Sequence, residues 1–253
     1  MIDWNNFKDN VFVINLKSDT DKWETMQTNF GEQNIKLNRV DAIYGKTLNP
    51  VDREKNTTTM CRYFCPDSAV GCGMSHMKVW RYIVENSIEY AVVLEDDVTP
   101  IDDFISRFNK VIKEVPDDWD IFYLYCLGVE STPEGLETFV SQIGGGEKIT
   151  ENIFRPGYPL STAGYCLNLE GAKRLLNATH GKVSYHIDAQ IASNISEGNI
   201  NAYGVYPYML SSEYEESETV DGDSFTANTL FNFRTHENQP KLSWYLQAKG
   251  FKS

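Results

Sequence analysis

The sequence predicts an α/β protein in which helices flank a sheet. Three observations carry this. The chain opens as strand–helix–strand: an apolar run at 11–16, apolar residues at helical spacing (Trp23, Met26, Phe30), and a second run at 35–42. Such a unit predicts a parallel strand pair joined by a right-handed crossover. Residues 90–98 then run an apolar stretch straight into Glu95, Asp96 and Asp97, which reads as a buried strand with acids at its carboxyl end. Just before it, Cys72, Ser75/His76, Val79/Trp80 and Ile83 recur at helical spacing. Ligands of open α/β sheets bind beyond the carboxyl ends of the strands, so the acids mark where chemistry is expected.

The elements follow in order. Ser18–Asp21 offers capping residues for the first helix, and Gly31 closes it. Residues 44–70 read as a loop excursion with a short helix near 51–55. Gly71 and Gly73 open the helix of 71–84, a glycine-rich start whose N-terminus could hold an anionic group. After the acids, Pro100 precedes a helix with Phe104, Ile105, Phe108, Val111 and Ile112 on one face. Residues 119–126 read as another buried strand, and 127–152 as an exposed excursion with Gly144–Gly146 at its tip. Strands at 153–156 and 163–169, a helix at 170–176, a short helix at 186–192 with Asp188 near its start, and a tyrosine-rich strand at 202–208 complete the pattern. Residues 211–224 are acidic and polar and read as a loop.

At 253 residues the chain could form one large domain or two small ones. No repeat or linker divides it, so a single domain over 1–253 is expected. The net charge of −13 lacks the basic footprint of a duplex nucleic-acid binder, yet leaves room for a nucleotide whose phosphates a metal neutralises. The opening residues show neither the basic nor the apolar part of an export leader, and no run reaches the ~18 apolar residues of a membrane span. A cytoplasmic protein without a membrane span is expected. The five cysteines, an odd number, are then expected as free thiols. Cys61, Cys65, Cys72 and His76 could close a zinc tetrahedron, but C-x3-C-x6-C-x3-H fits no standard ligand spacing. Buried small thiols are the plainer reading.

Three adjacent acids repel one another unless a cation sits among them. A solvated turn is the bland alternative. Asp41, at the end of the second strand, stands where an acid can meet a ribose or base, again with a solvated turn as the alternative.

Several blocks, in order, resemble glycosyltransferase family 25, the bacterial lipooligosaccharide glycosyltransferases and procollagen galactosyltransferases. They are Val13-Ile14-Asn15-Leu16 with Asp21-Lys22-Trp23, then Val40-Asp41-Ala42-Ile43-Tyr44-Gly45, then Gly71-Cys72-Gly73-Met74-Ser75-His76-Met77-Lys78-Val79-Trp80. Val93-Leu94-Glu95-Asp96-Asp97-Val98 follows, trailed by Phe104 and by 119–124, and Thr162-Ala163-Gly164-Tyr165-Cys166-Leu167 is a weaker fifth. The likeness covers about 11–195. It departs in the first helix, where Ser18, Thr20 and Lys22 stand in place of frequent arginines, and late, where 223–226 match a Ser-Asp-Ile motif only loosely.

The resemblance implies a GT-A fold, a Rossmann-like mixed sheet flanked by helices, with a nucleotide-sugar half at about 1–126 and an acceptor half at about 127–253. It implies inverting transfer of a sugar (galactose, glucose or xylose) from a UDP-sugar to a hydroxyl of a glycan or glycoprotein, with Mn²⁺ or Mg²⁺ as cofactor; the lack of an export leader, in turn, fits a bacterial or viral host cytosol. Asp97 is the first metal ligand expected. Glu95 falls on the same side if strand alternation persists, and Asp96 on the other. His236 is the late metal-binding histidine expected, with His186 next. Asp188 takes the place of the general base; a helix-start aspartate serving the macrodipole is the alternative. Asn15, Asp41, His76, Glu95 and Asp96 are the donor-binding residues expected. Ser75 and His76 lie near the donor or hold the central loop, unless His76 is simply a satisfied core histidine. A catalytically inactive relative that binds nucleotide-sugar or glycan is the alternative function. A two-metal phosphatase or nuclease is weaker, because its acids come from several loops.

Overall fold

The computed structural model describes residues 2–127 and 146–212, which belong to one compact unit. In chain order its strands are β1 (Val11–Asn15), β2 (Asn38–Asp41), β3 (Tyr90–Glu95), β4 (Val98–Pro100), β5 (Ile121–Leu127), β6 (Glu147–Lys148), β7 (Ile153–Arg155), β8 (Leu160–Asn168), β9 (Ala202–Val205) and β10 (Leu210–Ser212). The helices are α1 (Thr20–Gly31), α2 (Pro50–Asn56), α3 (Thr59–Phe64), α4 (Asp67–Glu85), α5 (Phe104–Val111), α6 (Leu169–Ala178) and α7 (Ile187–Ser196).

Eight strands form one sheet in the order β2-β1-β3-β8-β5-β9-β7-β6, and β4 pairs separately with β10. β1 runs parallel to both β2 and β3, with α1 as the crossover. β8 returns antiparallel between β3 and β5, while β9 is parallel to β5 and β7 antiparallel to β9. The expected class, α/β with a Rossmann-like mixed sheet flanked by helices, is the one observed. No helix among the described residues is long and apolar enough to cross a membrane.

Side-chain alternation along the central strands sorts the core into two layers. Phe12, Ile14, Ala91 and Val93 join α4, α6 and α7 through Trp80, Leu175 and Ile191. Val11, Val13, Val92 and Leu94 meet α1 and α5 through Met26, Phe30, Phe104 and Phe108. Both faces being covered explains why 91–94 is a continuous apolar run, all of it buried. Val92, Val93 and Leu94 each contribute about 1.5–3 kcal/mol by leaving water.

Two expectations are corrected in the first third of the chain. The short helix expected near 51–55 is α2, but the excursion also holds α3, and α4 begins at Asp67, so Gly71 and Gly73 lie inside the helix instead of at an anion-binding start. Their role is close approach. A Cβ on Gly71 would lie 2.4 Å from the Ile43 carbonyl oxygen and 2.7 Å from the Gly45 nitrogen, and one on Gly45 would lie 1.7 Å from the Asp67 carbonyl oxygen. The second correction concerns the thiols. Cys61 and Cys65 form a disulfide, leaving Cys72, Cys126 and Cys166 free. The end of α3 sets their Cα atoms 4.7 Å apart, within bonding range. The count of five could not show this.

Candidate functional site

Three parallel strands end together. Asn15 pairs with Asp41 across β1–β2, and Ile14 with Glu95 across β1–β3. Asn15, Asp41 and Glu95 therefore share the carboxyl edge. β3 stops at Glu95, and Asp96 and Asp97 make the turn into β4. The expectation that strand alternation runs through the triplet is thereby corrected: the pleat that would impose it ends at the first acid. Each carboxylate instead has its own surroundings.

Glu95 faces α4 and β8. Its Oε1 lies 3.2 Å from His76 Nε2 and accepts a 2.5 Å hydrogen bond from Thr162 Oγ1. His76 is fully buried, and its Nδ1 lies 3.0 Å from the Tyr165 hydroxyl, to which Trp80 Nε1 donates at 2.8 Å. Indole N–H can only donate. The Tyr165 oxygen accepts it, and its own hydrogen is free to bond Nδ1. That arrangement puts the imidazole proton on Nε2, aimed at Glu95. His76 is thus both a satisfied core histidine and a group that holds the central acid. Burial works to raise the Glu95 carboxyl, but the hydrogen bonds from His76 and Thr162 and the Lys22 charge hold it below its usual range.

Asp96 turns toward β1 and α1. Asn15 Nδ2 donates to its Oδ2 at 2.6 Å and to the Asp19 carbonyl at 3.0 Å, and Lys22 Nζ lies 3.7 Å from its Oδ1. Burial still leaves the Asp96 carboxyl raised, despite Asn15 and Lys22. Asn15 is 1 % exposed; it braces the acidic turn from beneath, and its Oδ1 is buried without a hydrogen-bond partner among the described residues. Asp97 has the least support. Its Oδ1 is likewise buried and unpartnered. Burial, followed by the Glu95 and Asp96 charges, pushes its carboxyl up to about 6.

The edge is rigid. Ser75 Oγ accepts from Ile43 N at 2.8 Å and donates to the Gly71 carbonyl at 2.7 Å. Lys78 Nζ donates to the Asp41 carbonyl at 2.8 Å. The Asp41 side chain itself stays exposed. Asp188, in the first turn of α7, accepts the Ser161 N–H at 3.2 Å through Oδ2 and the Ala189 N–H at 2.7 Å through Oδ1. Ser161 has φ +72°, a conformation that L residues seldom adopt and that clusters at functional sites. It directly precedes Thr162, so Asp188 is linked to Glu95 through the start of β8. His186 is the N-cap residue of α7, makes no capping hydrogen bond through its side chain, and has a buried Nε2 without a partner among the described residues. His236 lies outside the described residues, as do 128–145 of the expected excursion and 213–224 of the acidic loop.

Asn15, Asp41, His76, Glu95, Asp96 and Asp97 thus converge, with Asp188 joined to them by one strand. The sequence reading missed Thr162, Tyr165 and Trp80 as partners of His76 and Glu95. All three sit in the blocks that carried the resemblance, and Tyr165 and Trp80 read simply as core. Lys22 entered as part of the first block and as a departure, not as a partner of Asp96.

The donor set of the acidic turn is all oxygen, carries excess negative charge and includes a buried carboxylate oxygen with no partner among the described residues. That chemistry fits a hard divalent cation, and Asp97 and Glu95 are the residues that would hold it.

Among known proteins, residues 8–191 match the model of glycosyltransferase family 25 (LPS biosynthesis protein). Procollagen galactosyltransferase 2 of Mus musculus is 27% identical over 241 residues, covering 90% of this chain and 35% of its own length. The probable inactive glycosyltransferase 25 family member 3 of Bos taurus is 33% identical over 183 residues, covering 66% of this chain and 28% of its own. The chain therefore spans about a third of the length of these curated relatives. A crystal structure of a Drosophila galactosyltransferase complexed with manganese, UDP-Gal and xylobiose overlays with a TM-score of 0.40 and 6% identity, over 80% of this chain and 69% of that one.

Proposed function

The chain belongs to glycosyltransferase family 25, and on that premise we propose that it is an inverting, divalent-metal-dependent glycosyltransferase. It moves a sugar from a UDP-sugar to a hydroxyl of a glycan or glycoprotein acceptor. Galactose is the first sugar to test, ahead of glucose and xylose, because curated relatives are galactosyltransferases by name. We take the chain as one GT-A domain, with the donor half at about 1–126.

The observation that carries this reading is the acidic turn, where Asp97 presents a buried carboxylate oxygen without a partner among the described residues, beside two further acids. Mn²⁺ or Mg²⁺ held there by Asp97 and Glu95 would neutralise charge developing on the departing diphosphate. His76 and Thr162 keep Glu95 ionised and aimed. Asn15 and Lys22 draw Asp96 aside toward β1. Asn15 and Asp41 mark the strand ends where the nucleoside would lie. Asp188 takes the acceptor proton as the hydroxyl attacks; each of its oxygens accepts one backbone N–H and keeps a further lone pair for that proton.

Those same two hydrogen bonds favour a second reading, in which Asp188 only anchors the start of α7 and the protein binds nucleotide-sugar without turnover. Measuring UDP release with and without Mn²⁺, in wild type and Asp97→Ala, decides between them. Metal-dependent release lost in Asp97→Ala supports the transferase. Release that survives the substitution sinks the metal role, and UDP binding without release from any donor selects the second reading.

A further inference from the structure

The sequence offered four possible zinc ligands, and the structure removes two of them by joining Cys61 to Cys65. The other two do not fall idle. Cys72 and His76 stand one turn apart on α4, and Glu95 meets them from the end of β3. The thiol, an imidazole nitrogen and a carboxylate oxygen lie within 4.8 Å of one another. We propose that Cys72, His76 and Glu95 form a soft-metal site for Zn²⁺ or a similar thiophilic ion, and that filling it withdraws Glu95 from the acidic turn. The second clause rests on the function proposed above; the first does not.

The geometry suits zinc. Two ligands bound at about 2.0–2.1 Å with tetrahedral angles lie about 3.3 Å apart, and His76 Nε2 and Glu95 Oε1 are 3.2 Å apart. Sulfur, nitrogen and oxygen from three residues, with a fourth position left open, make the composition of a non-structural zinc site. Thiolate selects against Mg²⁺ and Mn²⁺. The supports are in place as well. Tyr165 holds the far nitrogen of His76, the outer contact that zinc-bound histidines need. Gly71 and Ser75 pin α4 against the 43–45 segment. Cys72 is half-buried, open enough for an ion to reach.

The protons balance. The Cys72 thiol loses its proton to solvent as sulfur binds. The His76 proton moves from Nε2 to Nδ1, where it points at the Tyr165 oxygen, and the Tyr165 hydroxyl rotates its own hydrogen away. One proton is released per ion bound. Hard ions at the acidic turn and soft ions at this site then compete for Glu95.

Co²⁺, a spectroscopic stand-in for Zn²⁺, tests this on the full chain without nucleotide or added thiol. The wild type is expected to show a near-ultraviolet thiolate-to-cobalt band at one equivalent, discharged by one equivalent of Zn²⁺. The near-isosteric Cys72→Ser should lack the band. Its Zn²⁺ affinity, read by competition with a chromophoric chelator, should fall by more than the roughly 10–100-fold that loss of an outer contact costs. Asp97→Asn, outside the ligand set, should keep the band. Equal Zn²⁺ affinity in wild type and Cys72→Ser, or a band lost in Asp97→Asn, overturns the site. Because no turnover is measured, failure of the transferase reading leaves this test intact. If both hold, Zn²⁺ inhibits UDP release competitively with Mn²⁺ in wild type and more weakly in Cys72→Ser; inhibition of equal strength in the two overturns the withdrawal of Glu95.

Discussion

Asp97 is where charge and burial are most at odds. Its carboxyl is pushed up to about 6 by burial and by Glu95 and Asp96. An acid whose folded-state pKa exceeds its unfolded value binds its proton more tightly when folded, so in metal-free protein stability falls as pH rises from about 4 to about 6. Asp97→Asn removes that penalty. We expect its metal-free Tm to exceed wild type by several degrees near neutral pH, each kcal/mol being worth about 2–4 °C at this chain length, with the gap closing below about pH 4. The same change should lower metal-dependent UDP release by about 10²–10³-fold, the scale of losing one electrostatic stabiliser. A variant both less stable and fully active would contradict each half. Tyr165→Phe acts differently. It strips the acceptor from the Trp80 N–H and the partner from His76 Nδ1, and a buried group left unpaired costs about 1–3 kcal/mol. Urea denaturation should register that loss. At this scale the acids were legible because they close a buried apolar strand, and His76 because it falls at helical spacing among the apolar residues of α4. The fine division of labour was not, since alternation was extended past the residue where β3 ends.

At the scale of elements, the site depends on how closely α4 and the 43–45 segment meet. Gly71→Ala places a Cβ within 2.4 Å of backbone, where no side chain can yield. Overpacking of this kind costs about 1–3 kcal/mol, to be read from the urea midpoint. The segment that carries Asp41 away from β2 should shift with it, so the KM for donor should rise in a transferase. A substitution that changes neither would show that the contact is slack. The glycines were visible in the sequence, but their meaning was not. A glycine near a helix start and a glycine under a crossing backbone look alike until the partner segment is known. The first crossover and the strands β1, β3 and β5 were legible because their apolar runs and periods are unambiguous. α3 was hidden in a polar, cysteine-bearing stretch, and the Cys61–Cys65 bond depends on that helix.

At the scale of the molecule, binding to the folded state alone must raise its stability. At one hundred times its Kd, a ligand adds about 2.7 kcal/mol. Mn²⁺ should therefore raise the Tm of wild type and leave that of Asp97→Asn unmoved; equal shifts in both would place the ion elsewhere. The two-layered sheet followed from the covered, continuous apolar strands, whereas its strand order could not be read from local pattern. β8 illustrates why. It lies between β3 and β5, yet follows both in the chain. During synthesis β3 and β5 therefore emerge with facing edges unpaired, and those edges wait until residues 160–168 arrive. Nascent chains halted near residue 127 should present bare strand edges that aggregate or recruit chaperones, and release by proteolysis-resistant folding should begin only once the strand bearing Thr162 and Tyr165 has left the ribosome.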